Sequence, residues 1–489
     1  MTEFDKDLRS IQQARSMVTA ARQAQQTWAN ATQQQVDLVC EAMAEAAFGA
    51  AERLGRMAAE ETGFGVPEHK KLKNEFAAKW VWDSIKDVKT VGVIQHDEAA
   101  NVYDIAWPMG VVAALTPSTN PTSTVINKIL MSVKARNGIV VAPHPSAAKC
   151  CVATAQLMAN AAVEAGAPEG LIHCMSEVSL PGTDALLSHK YTAVILATGG
   201  SDMVRAAHSK GKPAYGVGPG NVPVYVDRSA DLEKAAKYIV GSKAFDYSVI
   251  CATEQAVIAD RPIAARLREL MEAEGAYWVS PQQANALRES LFYPNGAINP
   301  LSVGKSPQYL AAMAGIEVPE HARILVADLD VVGREEPLSR EKLTTVLGYY
   351  VADGWEAGCE RCIELINFGG RGHSQLIHAT NMDIIMAFGL EKPVFRIGVN
   401  TMGTLGMIGM TTNIAPSLTL GSGGVGGAIT GDNITVHHLY NVKRIAFETS
   451  SPPEEAFRPG TVGTGVVQGP SYQEVEAIVR EIVIEILNA

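Results

Sequence analysis

Short apolar runs separated by helical patterns dominate the middle of the chain. Residues 110–116, 138–142, 171–174, 193–197 and 222–226 are rich in valine, isoleucine, leucine and alanine, too continuous for strands with one wet face. Between them, 120–134, 147–165, 183–189 and 203–209 read as helices. Strands buried on both faces and alternating with helices predict an α/β fold around a parallel sheet, a layout of the dinucleotide-binding type. Ahead of this region, 5–60 reads as helices rich in alanine and glutamine, with Ile11, Met17, Val36, Leu38 and Met43 as apolar positions. Gly63, Gly65 and Pro67 punctuate them, and strands at 91–94 and 102–107 flank a polar turn at 95–101, predicting a hairpin or arm.

A second α/β region is expected from about residue 227, with helices at 232–239, 263–274 and 281–290 and strands at 256–259, 322–326, 345–351 and 375–378. Residues 433–447 are strand-like again. The segment 450–470 has the Pro, Gly, Thr and Glu content of a linker. Beyond it, Val475, Ile478, Val479, Ile482, Val483, Ile486 and Leu487 recur at the spacing of an amphipathic helix.

Composition narrows the function classes. With 489 residues and 47% hydrophobic content the chain can build two or three cores. No apolar run approaches the roughly 18–20 residues of a membrane span, and the first residues are acidic where a secretory signal would be basic, so a cytoplasmic location is expected. A net charge of −11 disfavours a nucleic-acid partner. The seven cysteines are scattered, unlike a disulfide framework. Cys359 and Cys362 form a C-x-x-C inside a helical pattern with no second pair, so no metal is expected.

Several positions carry candidate chemistry. Cys251 follows an apolar dipeptide and precedes a small polar run, which suits a small buried hydrophobe or a nucleophile facing a cleft. Asn120, after the 110–116 strand, can cap the next helix or aim its amide at an oxyanion. Thr198, Gly199 and Gly200 end one strand and open a helix, where backbone N–H groups can approach a pyrophosphate or simply turn the chain. The glycine-dense stretch 210–221 is a surface loop or the wall of a site. His144 ends another strand, and His373, after Gly369-Gly-Arg-Gly, is an exposed loop residue or a proton shuttle.

These motifs fall in a familiar order. Thr116-Pro-Ser-Thr-Asn-Pro-Thr-Ser, Arg136-Asn-Gly, Pro143-His-Pro, Gly166-Ala-Pro, Leu196-Ala-Thr-Gly-Gly, Gly211-Lys-Pro-Ala and Gly216-Val-Gly-Pro-Gly-Asn come first. Val249-Ile-Cys-Ala-Thr-Glu-Gln, Glu341-Lys-Leu, Gly372-His373 and Ala415-Pro-Ser-Leu-Thr-Leu-Gly follow. Over about residues 10–448 the chain resembles the CoA-acylating aldehyde dehydrogenases. The resemblance implies a Rossmann-like cofactor domain at 1–226, with 91–107 part of an oligomerisation arm, and an α/β catalytic domain at 227–420. It also implies a return to the cofactor domain and an oligomerisation strand at 421–449, before the linker and amphipathic helix at 450–489.

It further implies Cys251 as nucleophile, with the Asn120 amide and the Cys251 N–H holding the oxyanion and His373 positioning substrate or aiding CoA deprotonation. His144, Thr198, Gly199, Gly200 and Gly218 would contact NAD or NADP, and Glu336, before Pro337, would grip the nicotinamide ribose. The hydrolytic relatives carry a glutamate in the stretch matching 216–221, and here that stretch has no carboxylate. Water needs a base to attack a thioester whereas a thiol is intrinsically far more nucleophilic, so its loss favours transfer to CoA. The implied substrates are a small aldehyde (acetaldehyde or propionaldehyde, alternatively sulfoacetaldehyde) and CoA, with a non-acylating dehydrogenase as the other alternative. A homodimer or dimer of dimers is implied, and 471–489 resembles the peptides that carry enzymes into bacterial microcompartments by docking on shell proteins.

Overall fold

In this computed structural model, residues 5–458, 471, 473–477 and 480–481 are described. Two compact units divide the chain: the first takes in Tyr103–Arg444 together with the residues up to Gln95, the second His96–Val102 together with the residues from Ile445 onward. Helices Lys6–Trp28 and Gln33–Gly49 open the chain, the first capped by Asp5 and the second by a reciprocal capping box between Thr32 and Gln35. Helix Ala51–Thr62 ends on left-handed Gly63, and helix Pro67–Glu75 begins with proline, whose missing N–H costs nothing at that position.

Strands β1 (Gly92–Asp97) and β2 (Val102–Pro108) occur where the hairpin was expected and share a three-stranded sheet with a late strand. The apolar runs then form β3 (Val111–Thr116), β4 (Gly138–Pro143), β5 (Ile172–Cys174), β6 (Thr192–Thr198) and β7 (Ala214–Val217), a parallel sheet in the order β5-β4-β3-β6-β7. Every residue of β3 and β4 is buried, as continuous apolar strands covered on both faces require. β7 lies inside the stretch 210–221, where sequence alone suggests only a loop.

Next come β8 (Val222–Val226), β9 (Glu254–Asp260), β10 (Ala276–Trp278), β11 (Ile324–Asp328), β12 (Val346–Ala352), β13 (Gly372–His378) and β14 (Val394–Val399). They form a seven-stranded parallel sheet in the order β10-β11-β12-β9-β8-β13-β14. The chain thus passes from one sheet to the other between Val217 and Val222, and β8 precedes the boundary expected at 227. The strand-like stretch 433–447 divides: Val436–Leu439 is a 3-10 turn held by the Thr435–His438 capping box, and β15 (Tyr440–Ala446) follows it into the three-stranded sheet.

Cys359 and Cys362 lie buried in helix Gly354–Phe368, and no group of three or more metal-binding side chains gathers among the described residues. Among those residues no helix is long and apolar enough to cross a membrane. Most of the apolar stripe expected at 471–489, from Ile478 onward, lies outside the described residues.

Candidate active site

Register brings the candidate residues to one edge. Thr116 of β3 pairs with Pro143 of β4, Leu115 with Ala197 of β6, and Thr198 with Val217 of β7. The residues that follow each strand, Asn120, His144, Gly199–Gly200 and Gly218, therefore emerge together at the carboxyl ends, where open α/β sheets bind ligands. The segments entering β9 and β12 close the other side with Cys251 and Glu341. The enclosed cavity measures about 290 Å³, and Asn120, His144, Thr198, Gly199, Gly200, Gly218 and Cys251 all line it.

Cys251 is partly exposed, whereas the other six cysteines are buried. It sits in a tight turn in which Thr253 donates to the Ile250 carbonyl from both its backbone N–H (2.9 Å) and its hydroxyl (2.6 Å). Before it, Asp246, Tyr247 and Ser248 take three consecutive left-handed conformations, with φ of 48°, 51° and 67°. Such conformations cost about 1–3 kcal/mol each for non-glycine residues and persist only when their surroundings hold them. Here the Asp246 carboxylate is the anchor: it accepts from Val66 N at 2.7 Å, from Lys70 at 3.1 Å and from Lys73. Burial, and next the charge of Glu341, push the Cys251 thiol up to about 12, with Arg396 opposing them. The resting side chain is therefore the thiol, and its ionisation needs a proton acceptor.

Asn120 directs its amide toward this turn. Its Nδ2 donates to the Val249 carbonyl at 3.1 Å and to the Thr119 hydroxyl at 3.2 Å, while its Oδ1 accepts from Lys73 at 2.5 Å. It opens helix Pro121–Lys134 without a side-chain capping bond, so its amide is not spent as a cap.

Glu336 and His373 lie apart from the residues that line this cavity. Glu336 does not line the cavity; Arg288 holds its carboxylate through contacts of 2.9 and 2.6 Å, and Leu338 N donates to it as well. The carboxylate that reaches the cavity is Glu341, whose Oε1 accepts from Gly220 N at 2.9 Å and whose carboxyl burial raises to about 7. Glu341 stood within a matched motif, but an acidic residue beside a lysine reads as surface until the fold buries it. His373, in turn, is not an exposed loop residue: it is 1% exposed within β13, packed behind Gly220. It lines an adjoining cavity of about 490 Å³ that shares Gly218 and Pro219 with the first. Burial and then the Arg396 charge push its imidazole down to about 3, so it is neutral near pH 7 and a poor proton acceptor.

Sequence reasoning also missed Lys70, Lys73, Asp246 and Arg396. Charged residues on a short helix ordinarily face water, and only the pairing of distant segments shows otherwise. Arg396 is 5% exposed and spends its guanidinium on the carbonyls of His373 (2.8 Å), Gly421 (2.6 Å) and Gly431 (2.7 Å).

The cavity wall fits a nicotinamide nucleotide. Helix Ser201–His208 starts directly after Gly200, so its first N–H groups face the cavity end of β6. Added Cβ atoms at Gly200 and Gly218 would meet nothing within 4 Å, which leaves space for a ligand against the backbone. The Thr116 and Thr198 hydroxyls are buried with no partner among the described residues. His144 is exposed at the rim, its Nδ1 2.8 Å from the Ser146 hydroxyl.

Comparison with known proteins agrees with this architecture. The profile described as "Aldehyde dehydrogenase family" matches residues 8–283. The crystal structure of an acetylating aldehyde dehydrogenase from Geobacillus thermoglucosidasius superimposes with a TM-score of 0.91 at 49% identity, covering 92% of this chain and 100% of that one. Succinate-semialdehyde dehydrogenase (acetylating) of Clostridium kluyveri is 36% identical over 88% of this chain and 95% of its own. An aldehyde-alcohol dehydrogenase of Clostridium acetobutylicum is 41% identical over 87% of this chain but only 50% of its own, so the chain spans about half the length of such relatives. With a cysteine and an asparagine amide meeting in a cavity walled by cofactor-type turns, and with full-length relatives at this identity, the chain belongs to the aldehyde dehydrogenase family.

Proposed function

We propose that this chain is a CoA-acylating aldehyde dehydrogenase, converting a small aldehyde, CoA and NAD(P)+ to acyl-CoA and NAD(P)H. The observation that carries this reading is the wall facing Cys251. At the position where hydrolytic members place a water-activating glutamate, this cavity has Gly218 and Pro219. The acetylating activities named for the Geobacillus and C. kluyveri relatives support it.

In the proposed cycle the Cys251 sulfur bonds to the aldehyde carbon and its proton passes to Glu341, the cavity group that titrates near neutrality. Asn120 Nδ2–H and the Cys251 N–H hold the oxygen of the resulting thiohemiacetal, the Thr119 hydroxyl giving up its share of the amide. Thr198, Gly199, Gly200, Gly218 and the His144 rim would hold the nicotinamide nucleotide, which would supply the hydride acceptor. The thioester left on Cys251 is then attacked by the CoA thiol, the new carbon–sulfur bond forming as the Cys251 sulfur departs and takes up the CoA proton, which restores its thiol. His373 is assigned to packing the Gly218–Gly220 wall. Association as a dimer or dimer of dimers is proposed through the three-stranded sheet, on which Val93, Trp107 and Val442 are exposed.

The test is an aldehyde panel (acetaldehyde, propionaldehyde, sulfoacetaldehyde, succinate semialdehyde) with NAD+ and NADP+, each with and without CoA, following NAD(P)H and acyl-CoA together. CoA-dependent turnover yielding acyl-CoA, abolished by Cys251→Ala, is expected. Equal NAD(P)H formation without CoA, or an active Cys251→Ala variant, overturns the reading.

A further inference from the structure

Helix Pro67–Glu75 carries Lys70 and Lys73 nearly one turn apart, and both are at most 2% exposed, where lysines are rare unless paired. Lys70 Nζ donates to the Thr119 carbonyl at 3.0 Å and to Asp246 Oδ2 at 3.1 Å. Lys73 Nζ donates to the same carboxylate oxygen and to Asn120 Oδ1. One carboxylate thus gathers two amines, and Lys73 bridges the segment before Cys251 to Asn120, which lines the same cavity as that cysteine.

The bridge decides which way the amide points. An asparagine amide can exchange oxygen and nitrogen by a half-turn about its last torsion, and only its partners choose between the two. A lysine amine that gives one hydrogen to Asp246 still has another for Asn120, so the amide oxygen must face Lys73. A half-turn would set N–H against N–H in a buried site, leaving both donors unsatisfied at a cost of about 1–3 kcal/mol. With the oxygen so held, Nδ2 is directed toward Val249 and the turn that carries Cys251.

The surroundings are built for this cluster. Gly63 and Gly65 have φ of +67° and +73°, and a Cβ on Gly65 would clash with the Asp246 carboxylate. His69 Nδ1 accepts from Asp246 N at 2.8 Å while its ring stacks on Phe245, 4.5 Å between centroids.

We propose that Lys73 is a positioning residue for the aldehyde chemistry: paired with Asp246, it locks the Asn120 amide with Nδ2–H toward the substrate oxygen and ties that amide to the nucleophile's turn. This rests on the reading of Cys251 as nucleophile and Asn120 as oxyanion donor. Lys73 reaches no ligand itself and works through Asn120.

The test is a double-mutant cycle on the full chain with Lys73→Met, Asn120→Ala and the double variant, measuring kcat and aldehyde KM in the presence of CoA. Alkylation of Cys251 by iodoacetamide is followed in parallel, because that reaction forms no oxyanion. Lys73→Met is expected to lower kcat about 10–100-fold, somewhat less than loss of an oxyanion donor itself. Aldehyde KM should stay within about threefold, Cys251 alkylation within about twofold, and the kcat loss should vanish in the Asn120→Ala background. Losses that multiply, or alkylation that slows in step with kcat, overturn the proposal. If the methionine variant does not fold, Lys73→Gln, which keeps an N–H donor for Asn120 Oδ1, is measured instead: kcat within about threefold of wild type is expected, and a loss of about tenfold or more in the folded variant overturns the proposal. Cys251→Ala and the CoA requirement are measured on the same preparations. Their failure defeats the functional reading, whereas an additive cycle on a CoA-dependent enzyme defeats this inference alone.

Discussion

Cys251 and Glu341 share one cavity, and the Glu341 carboxylate opposes ionisation of the thiol. Burial and the Glu341 carboxylate push the thiol up to about 12, and burial raises the Glu341 carboxyl to about 7. The sign of each effect separates two consequences of Glu341→Gln. Removing a negative neighbour favours the thiolate, so Cys251 in this variant should be alkylated faster than wild type at pH 9. Removing the proton acceptor should at the same time slow turnover and abolish the rise in kcat expected of wild type as pH passes upward through about 7. Alkylation rates and a pH profile on the two proteins check both. An unchanged alkylation rate with the rise through pH 7 intact would show that Glu341 neither faces the thiol nor takes its proton.

The chain between β7 and β8 is the element on which both cavities lean. Gly220 N donates to Glu341, and an added Cβ there would lie 2.3 Å from the Cys251 carbonyl oxygen and 3.0 Å from the His373 ring. Backbone on one side and a ring locked inside a strand on the other leave little room to yield. Gly220→Ala is therefore expected to cost about 1–3 kcal/mol of stability by overpacking, read from the urea midpoint, and to reduce turnover by displacing Cys251. Full activity at wild-type stability would mean that the wall tolerates movement. The parallel strands themselves were legible from apolar runs such as 138–142, because a strand buried on both faces leaves that mark in its composition. β7 was not, since the glycines around Ala214–Val217 read as loop, and only pairing with β6 makes them strand.

For the molecule as a whole, the parts outside the two large parallel sheets raise a different question. The stretch 450–489 combines linker composition with an apolar stripe from Val475 to Leu487. Read as a docking peptide, it should carry a fluorescent protein fused to residues 451–489 into assembled microcompartment shells. Microscopy showing punctate signal that overlaps the shells is the expected outcome, and diffuse fluorescence beside intact shells counts against docking. The same stripe packed against the chain's own surface would instead make its removal destabilising, which a thermal melt of a chain ending at residue 450 would register.

Sequence alone determined the alternation of strand and helix, the candidacy of Cys251 and Asn120, and the glycine turns at 199–200 and 218. It could do so because continuous apolar runs, turn residues and ordered motifs are local in the chain. Only the tertiary structure decided that Glu341, and not Glu336, lines the cavity with Cys251, and that His373 is buried. It also decided that Lys73 of an early helix reaches Asn120. Those are contacts between segments far apart in the chain, and a charge's environment, unlike a strand's composition, belongs to the neighbours that folding brings to it.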